Sequence, residues 1–103
     1  MSRLALIALT GLAPRAVQRV AVAGRAPFAV FTRDGQYFVA DDRCSHGEAA
    51  LSEGELADYE ILCPHHRGGF DIRTGLPTRP PCAQAITCYA VSLADGMLCI
   101  DID

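Results

Sequence analysis

Short apolar runs separated by glycine, proline and aspartate recur along this chain, and they predict an all-β fold. Many of the runs are rich in β-branched and aromatic residues, which is typical of strands. The predicted strands cover residues 3–9, 15–22, 28–31, 37–40, 60–62, 69–72, 86–93 and 97–102. No stretch has a convincing helical period, because the valines of the ambiguous segment 15–23 suit a strand better.

Two Asp-Gly pairs mark the tightest predicted turns. Asp34-Gly35 and Asp95-Gly96 each stand between two apolar runs. An Asp-Gly pair in this position is among the strongest hairpin signals, so each pair predicts a two-residue hairpin turn.

The N-terminal segment admits two interpretations. Residues 4–13 form an apolar stretch after a basic residue, as in a short signal peptide. An alternation of side chains favours a first strand instead; its two faces would be Leu4, Leu6 and Ala8, and Arg3, Ala5 and Ile7. We therefore predict a strand here, and no apolar run approaches the ~20 residues that would span a membrane.

Composition predicts one small domain that does not bind nucleic acid. The 103 residues form a single domain, and a net charge of −3 leaves no basic patch for phosphates. Five cysteines raise the question of disulfides, but their number is odd and their spacing irregular. Cys88 and Cys99 lie in apolar runs, where a thiol behaves as a small hydrophobe, so reduced cysteines and a cytoplasmic location are expected.

The candidate chemistry lies in the middle of the chain, in two segments that project from the β framework. Cys44-Ser45-His46 and Cys63-Pro64-His65-His66 each pair a thiolate donor with an imidazole. Two Cys and two His suit zinc as well as iron, but structural zinc sites usually take both thiolates from one knuckle. One Cys and one His per loop suit a binuclear cluster instead, in which one iron takes both thiolates and the other both imidazoles.

These residues resemble the Rieske family, whose signature is C-x-H followed, after a spacer of about 15–17 residues, by C-x-x-H. Residues 44–54 and 63–75 are similar to the two cluster loops of Rieske ferredoxins that serve bacterial aromatic-ring-hydroxylating dioxygenases. Pro80-Pro81 resembles the proline loop of these ferredoxins, which covers the cluster, and the strand after it is also similar, at Ile86, Tyr89 and Val91. The resemblance extends over essentially the whole chain.

The resemblance implies a Rieske fold, with an antiparallel β-sandwich-like base and a smaller cluster-binding subdomain formed by two loops. The single domain 1–103 would divide into a base, residues 1–40 and 83–103, and a cluster-binding subdomain, about 41–82. One [2Fe–2S] cluster would be held by Cys44, His46, Cys63 and His66. His65 copies the spacing of the first loop, but the family pattern selects His66.

The implied function is one-electron transfer from a flavin-dependent NAD(P)H ferredoxin reductase to a terminal aromatic-ring-hydroxylating dioxygenase. The chain itself would not be an enzyme, since no catalytic triad, phosphate loop or nucleotide fingerprint occurs. Docking would be transient and would use the loop tips, around Gly47–Leu51 and His65–Gly68. The aromatic substrate, the partners' identities, the oligomeric state and the roles of Cys82, Cys88 and Cys99 are not readable from the sequence.

Absent side chains predict a low reduction potential. In high-potential Rieske proteins an extra cysteine in each loop forms a disulfide; the corresponding positions here hold Ala49, or a neighbour, and His65. Those proteins also donate hydroxyl hydrogen bonds to sulfur from positions that here hold Gly68 and Phe70. Hydroxyl donors stabilise the reduced cluster, so we predict a potential of roughly −150 mV.

Two alternatives to a dioxygenase ferredoxin stay open. The chain could be a permanent small Rieske subunit of another oxidoreductase, such as an assimilatory nitrite reductase. It could also be a structural zinc-binding module, which would be colourless and contain no acid-labile sulfide.

Overall fold

The computed structural model describes residues 2–12, 14–44, 49–64, 68–80 and 84–102, and within them antiparallel β-sheets predominate. The strands are Arg3–Ala8 (β1), Val17–Val20 (β2), Phe28–Arg33 (β3), Gln36–Asp41 (β4), Glu55–Ala57 (β5), Glu60–Leu62 (β6), Gly69–Asp71 (β7), Pro77–Arg79 (β8), Cys88–Tyr89 (β9), Val91–Ala94 (β10) and Met97–Asp101 (β11). Short 3₁₀ turns occur at Leu9–Gly11 and Leu51–Glu53. In these ranges no helix has the length and apolarity that a membrane crossing requires. The all-β prediction is confirmed.

The strands form three sheets in the described ranges. The first has the order β1-β11-β10, the second β2-β3-β4-β9 and the third β5-β6-β7-β8, and neighbouring strands are antiparallel. We call the second the middle sheet and the third the cluster sheet, because the predicted ligand loops adjoin it.

Both Asp-Gly pairs form the predicted hairpin turns. Asp34 and Gly35 have φ of 53° and 75°, and Asp95 and Gly96 have φ of 53° and 74°. Positive φ at both central residues defines the type I′ turn, whose twist matches that of the flanking strands. The turns therefore fix the registers of β3 with β4 and of β10 with β11.

The first strand is confirmed, but its predicted alternation is wrong after Ala5. β1 pairs with β11, and the register shifts between Ala5 and Ile7. Because this bulge inserts an extra residue, Ile7 joins Leu4 and Leu6 against the core instead of sharing a face with Arg3.

Strand β3 of the middle sheet is buried on both faces along Phe28–Phe31. Phe28 and Val30 of β3 pack in a core shared with the first sheet, whereas Ala29 and Phe31 pack in a core shared with the cluster sheet. This arrangement explains why the first four residues of β3 are all apolar, since alternate side chains enter two different cores.

The predicted strand 86–93 is wrong as a single element. Cys88–Tyr89 pairs with β4 in the middle sheet, whereas Val91–Ala94 pairs with β11 in the first sheet. The chain changes sheet at Ala90, whose carbonyl accepts a hydrogen bond from Asp101 N at 3.0 Å. Strands β5 and β8 were not predicted, because neither contains a β-branched or aromatic apolar side chain.

Candidate metal centre

The first ligand loop leaves β4 and is closed at its base by backbone contacts. Leu51 N donates to Asp42 O at 2.6 Å, Arg43 forms an antiparallel bridge with Ala50, and Cys44 N donates to Ala49 O at 2.9 Å. These contacts form a short ladder that places Cys44 at its inner end.

The second ligand loop connects β6 to β7 and closes in the same way. Leu62 pairs with Gly69, and Cys63 N donates to Gly68 O at 2.7 Å. In each loop the cysteine N–H therefore binds the carbonyl of the residue five positions later. The two cysteines occupy equivalent places in two similarly closed loops.

Cys44 and Cys63 are both buried in the core between the middle sheet and the cluster sheet, each with 1 % of its surface exposed. The two loops also meet through their backbones. A Cβ at Gly54, where the first loop leads into β5, would collide with the carbonyl oxygen of Leu62, the residue before Cys63. Glycine at this position allows the loops to approach closely.

The predicted histidine ligands His46 and His66 lie outside the described residues, as do His65 and Cys82. Within the described ranges no group of three or more His, Cys, Asp or Glu side chains could hold a metal ion. Two buried thiols from two loops are the half of the predicted ligand set that the structure describes. Thiolate donors suit an iron–sulfur cluster, so these two residues fit the predicted group.

The cysteines predicted to be buried thiols have that character. Cys99 is buried in β11, and Cys88 is half-buried in β9. Burial raises the pKa of the Cys88 thiol to about 11, and the carboxylates of Asp71 and Asp41 add to this effect. Cys88 is therefore a protonated, unreactive thiol at neutral pH.

Asp42 is a buried carboxylate that sequence reasoning missed. It is 2 % exposed and accepts hydrogen bonds from Ser52 N at 2.7 Å and Ser52 Oγ at 2.9 Å. Burial raises the pKa of Asp42, while the Ser52 donors and Arg19, whose Nε is 3.7 Å from Oδ2, oppose this rise. No periodicity marked it, because it lies at the end of a strand among other polar residues.

The neighbouring carboxylate, Asp41, has a different environment. Tyr89 Oη donates to Asp41 Oδ1 at 2.6 Å. Burial, followed by this hydrogen bond, raises the pKa of Tyr89 to about 12, so the phenol stays protonated and remains a donor. The two adjacent aspartates therefore bind different elements, Asp41 the strand β9 and Asp42 the first ligand loop.

The structure describes only part of the predicted docking tips. Within the predicted tips, Ala49, Leu51 and Gly68 are buried and Ala50 is partly exposed, and docking at the tips stays a prediction. Gly47 and His65 lie outside the described residues. Pro64 and Pro80 are exposed, and Pro81 is outside the described ranges.

An open groove of about 580 Å³ lies beside both loop bases; its lining includes Arg19, Asp42, Arg43, Ala50, Glu53 and Pro64.

High-potential Rieske proteins have hydroxyl donors at two positions that here hold Gly68 and Phe70, neither of which has a hydroxyl. Gly68 is buried, and Phe70 is fully buried in the core shared by the two sheets. Gly69 leaves room for other side chains, because a Cβ there would lie 2.6 Å from Thr78 Oγ1 and 2.8 Å from Glu60 Oε2.

Comparison with known proteins places these features in a family. A family model described as the Rieske [2Fe–2S] domain matches residues 3–90. The ferredoxin component of the p-cumate 2,3-dioxygenase system of Pseudomonas putida is 38 % identical over 98 residues, which cover 94 % of this chain and 83 % of that protein.

Solved structures agree with this comparison. The ferredoxin of Sphingomonas yanoikuyae B1 superposes with a TM-score of 0.89 at 35 % identity, and the match covers 99 % of this chain and 100 % of that one. A chain in the complex of reduced oxygenase and oxidized ferredoxin of carbazole 1,9a-dioxygenase gives a TM-score of 0.84 at 35 % identity, covering 95 % of this chain and 91 % of that one.

Proposed function

The chain belongs to the Rieske [2Fe–2S] family, and from this membership we propose that it is the one-electron carrier of an aromatic-ring-hydroxylating dioxygenase system. It would receive electrons from a flavin-dependent NAD(P)H ferredoxin reductase and deliver them to the terminal oxygenase. Its relatives are named as ferredoxin components, and the chain is accordingly a carrier and not the catalytic component.

The proposed ligands of its Rieske-type [2Fe–2S] cluster are Cys44, His46, Cys63 and His66. The observation that supports this set most directly is the pair of buried cysteines, each at the base of a loop closed by a hydrogen bond to the residue five positions later. Each histidine follows its cysteine within three residues, so a loop that places the thiolate also keeps the imidazole within reach.

A bound cluster supplies reversible one-electron reduction without a proton-transfer group on the protein. Buried Cys44 and Cys63 would exclude water from the thiolate side, because the surrounding residues of the core are apolar. Gly68 and Phe70 offer no hydroxyl donor, which supports a potential of roughly −150 mV, near the low end of the Rieske range.

We also propose the division of the chain into a base, residues 1–40 and 83–103, and a cluster-binding subdomain, about 41–82. It is supported by the separate hydrogen bonding of the cluster sheet, whose strands lie between Glu55 and Arg79.

The terminal oxygenase is the better supported of the two partners, because a relative of this chain forms a complex with an oxygenase. Docking at Ala50 and Pro64 would bring a partner next to the bases of both loops, since both residues line the open groove there. The free cysteines Cys88 and Cys99 are compatible with the reducing cytoplasm proposed as its location.

The test is to purify the chain without oxygen and measure iron, zinc, acid-labile sulfide and the electron paramagnetic resonance spectrum of the reduced protein. We expect two irons, two sulfides and a Rieske spectrum, together with electron transfer in a reconstituted reductase–oxygenase assay. A His66→Cys variant should lose the Rieske spectrum. Zinc without sulfide, or a His66→Cys variant with unchanged spectrum and turnover, would contradict the proposal.

A further inference from the structure

Asp42 holds the base of the first ligand loop closed, and we infer that it is a positioning residue that helps to set the reduction potential of the cluster. The inference rests on the proposed function, because it requires Cys44 to be a cluster ligand. Asp42 itself is not a ligand in that proposal; it would act through the loop that carries Cys44.

The backbone of Asp42 connects the loop to the middle sheet. Its N–H donates to Pro27 O at 3.1 Å, just before β3, and its carbonyl accepts from Leu51 N at 2.6 Å. Asp42 thus contacts the scaffold through its N–H and the far side of the loop through its carbonyl.

The side chain of Asp42 closes the loop a second time. Each carboxylate oxygen has its own donor on Ser52, the backbone N–H for Oδ1 and the hydroxyl for Oδ2. Hydrogen bonds to an ionised carboxylate are about twice as strong as neutral ones, and a carboxylate this deeply buried is costly without them. The same carboxylate oxygen, Oδ2, lies 3.7 Å from Arg19 Nε on β2.

The position of this closure relative to Cys44 determines its effect. Contacts of residue 42 with 51 and 52, of 43 with 50, and of 44 with 49 form a continuous ladder. If the outer contacts open, the inner ones lose their support and water reaches the Cys44 sulfur, which is now 1 % exposed. Because water stabilises the more negative, reduced state, the potential would rise.

Substitution of Asp42 alone confounds two effects. Asp42→Asn loosens the loop and also removes a negative charge near the cluster, and both changes raise the potential. Asp41→Asn is a matched control, because it removes the same charge one residue away while keeping an oxygen that can accept from Tyr89. We expect Asp42→Asn to raise the reduction potential by about 59 mV, which corresponds to a tenfold change in the one-electron equilibrium constant. Asp41→Asn should change the equilibrium by less than about threefold.

Substitution of Ser52 distinguishes a positioning role of Asp42 from a charge effect, because the two explanations predict different directions for the shift in reduction potential. Ser52→Ala removes one donor and leaves the Asp42 charge in place. If Asp42 acts by charge alone, the carboxylate becomes less compensated and the potential stays the same or falls. If Asp42 positions the loop, the potential rises by the equivalent of about threefold in the one-electron equilibrium constant. Ser52→Thr, which keeps the hydroxyl, should then restore the original potential.

The measurements are redox titration by visible absorbance and electron paramagnetic resonance on each purified holoprotein, with iron and sulfide contents. Equal shifts for Asp41→Asn and Asp42→Asn, or an unchanged or lower potential for Ser52→Ala, would overturn the inference. If Asp42→Asn does not retain the cluster, the comparison of Ser52→Ala with Ser52→Thr decides. Failure of the proposed function is recognised separately, because the unmodified protein would then lack iron and sulfide.

Discussion

Tyr59 donates its hydroxyl hydrogen to Asp34 Oδ2 at 2.6 Å and thereby joins the β5–β6 turn of the cluster sheet to the β3–β4 turn of the middle sheet. The adjacent residues make a second bond in the opposite direction, from Arg33 Nη2 to Asp58 Oδ1 at 2.9 Å. The two turns are therefore linked reciprocally. This link lies at the end of β6 away from Cys63.

Tyr59→Phe should lower the midpoint of thermal unfolding and leave the reduction potential unchanged. The variant keeps the ring contacts of Tyr59 with Phe38, 5.8 Å between centroids, and with Arg73, 4.4 Å from its guanidinium carbon to the ring centroid. Only the hydrogen bond to Asp34 is lost. Calorimetry and redox titration measure the two quantities.

Tyr37→Phe is the matched control for this variant, because the Tyr37 hydroxyl makes no hydrogen bond to any residue that the structure describes. We expect a smaller change in its unfolding midpoint. Equal effects of the two substitutions would show that the Tyr59 hydroxyl does not stabilise the contact between the sheets.

Gly75→Ala should be one of the most destabilising single substitutions in the cluster sheet. Gly75 has φ of 83°, and a Cβ there would collide with the Ile86 carbonyl oxygen and lie 3.1 Å from Cys88 Sγ. We expect the free energy of unfolding to fall by about 3 kcal/mol or more, because backbone strain and a backbone collision act together.

Gly96→Ala separates these two causes. Gly96 has a similar φ of 74°, but a Cβ there would have no neighbour within 4 Å. Urea unfolding should therefore show a loss of only about 1–2 kcal/mol, the cost of the left-handed conformation. Equal losses for the two variants would mean that the segment before β9 moves away from Gly75 without cost.

Glu60 should make the protein more stable above about pH 4.5 than below it. Thr78 Oγ1 donates to Glu60 Oε2 at 2.5 Å and Arg79 Nε donates at 3.0 Å, and these bonds lower the pKa of Glu60 from its ordinary value of 4.5. A carboxylate with a lowered pKa contributes stability above its unfolded pKa and loses it as pH falls through its folded pKa.

Urea unfolding at a series of pH values tests this dependence. Glu60→Gln should lose less stability than the unmodified protein between pH 5 and pH 3, and Thr78→Val, which removes the first donor, should behave in the same direction. An acid dependence unchanged in both variants would exclude Glu60 as its source.

Phe70→Tyr should raise the reduction potential. Phe70 occupies the position at which high-potential Rieske proteins donate a hydroxyl hydrogen bond to sulfur, and a donor to a charged acceptor contributes about 1.5–3 kcal/mol. The expected rise is at least about 59 mV, which is tenfold for one electron. Phe70→Leu adds no donor and serves as the control; if it raises the potential as much, a change in packing and not the hydroxyl is responsible.

Local signals predicted much of the fold. The Asp34-Gly35 and Asp95-Gly96 pairs gave both hairpins and their registers, because each turn type depends on only two residues. The bulge between Ala5 and Ile7 and the change of sheet at Ala90 were not predictable, since they depend on which distant strand each segment pairs with. The burial of β3 on both faces was visible as an apolar run, but the run alone does not identify the two layers.

The candidate centre was predictable in part, for a similar reason. Cys44 and Cys63 carry a spacing that can be read directly, whereas Asp42 gives no signal until the loop closes and brings Ser52 to it. The link between Tyr59 and Asp34 is equally invisible in the sequence, because the two residues are 25 positions apart and neither belongs to a motif.

The matching closure of the two ligand loops bears on how the cofactor is delivered. Cys44 N to Ala49 O and Cys63 N to Gly68 O are backbone bonds, so neither requires iron or a ligand side chain. We expect the newly synthesised apoprotein to fold with both cysteines already at the bases of shaped loops. A preformed [2Fe–2S] cluster would then be inserted into a site whose backbone is already folded. The protein that delivers the cluster would need to recognise the folded apoprotein.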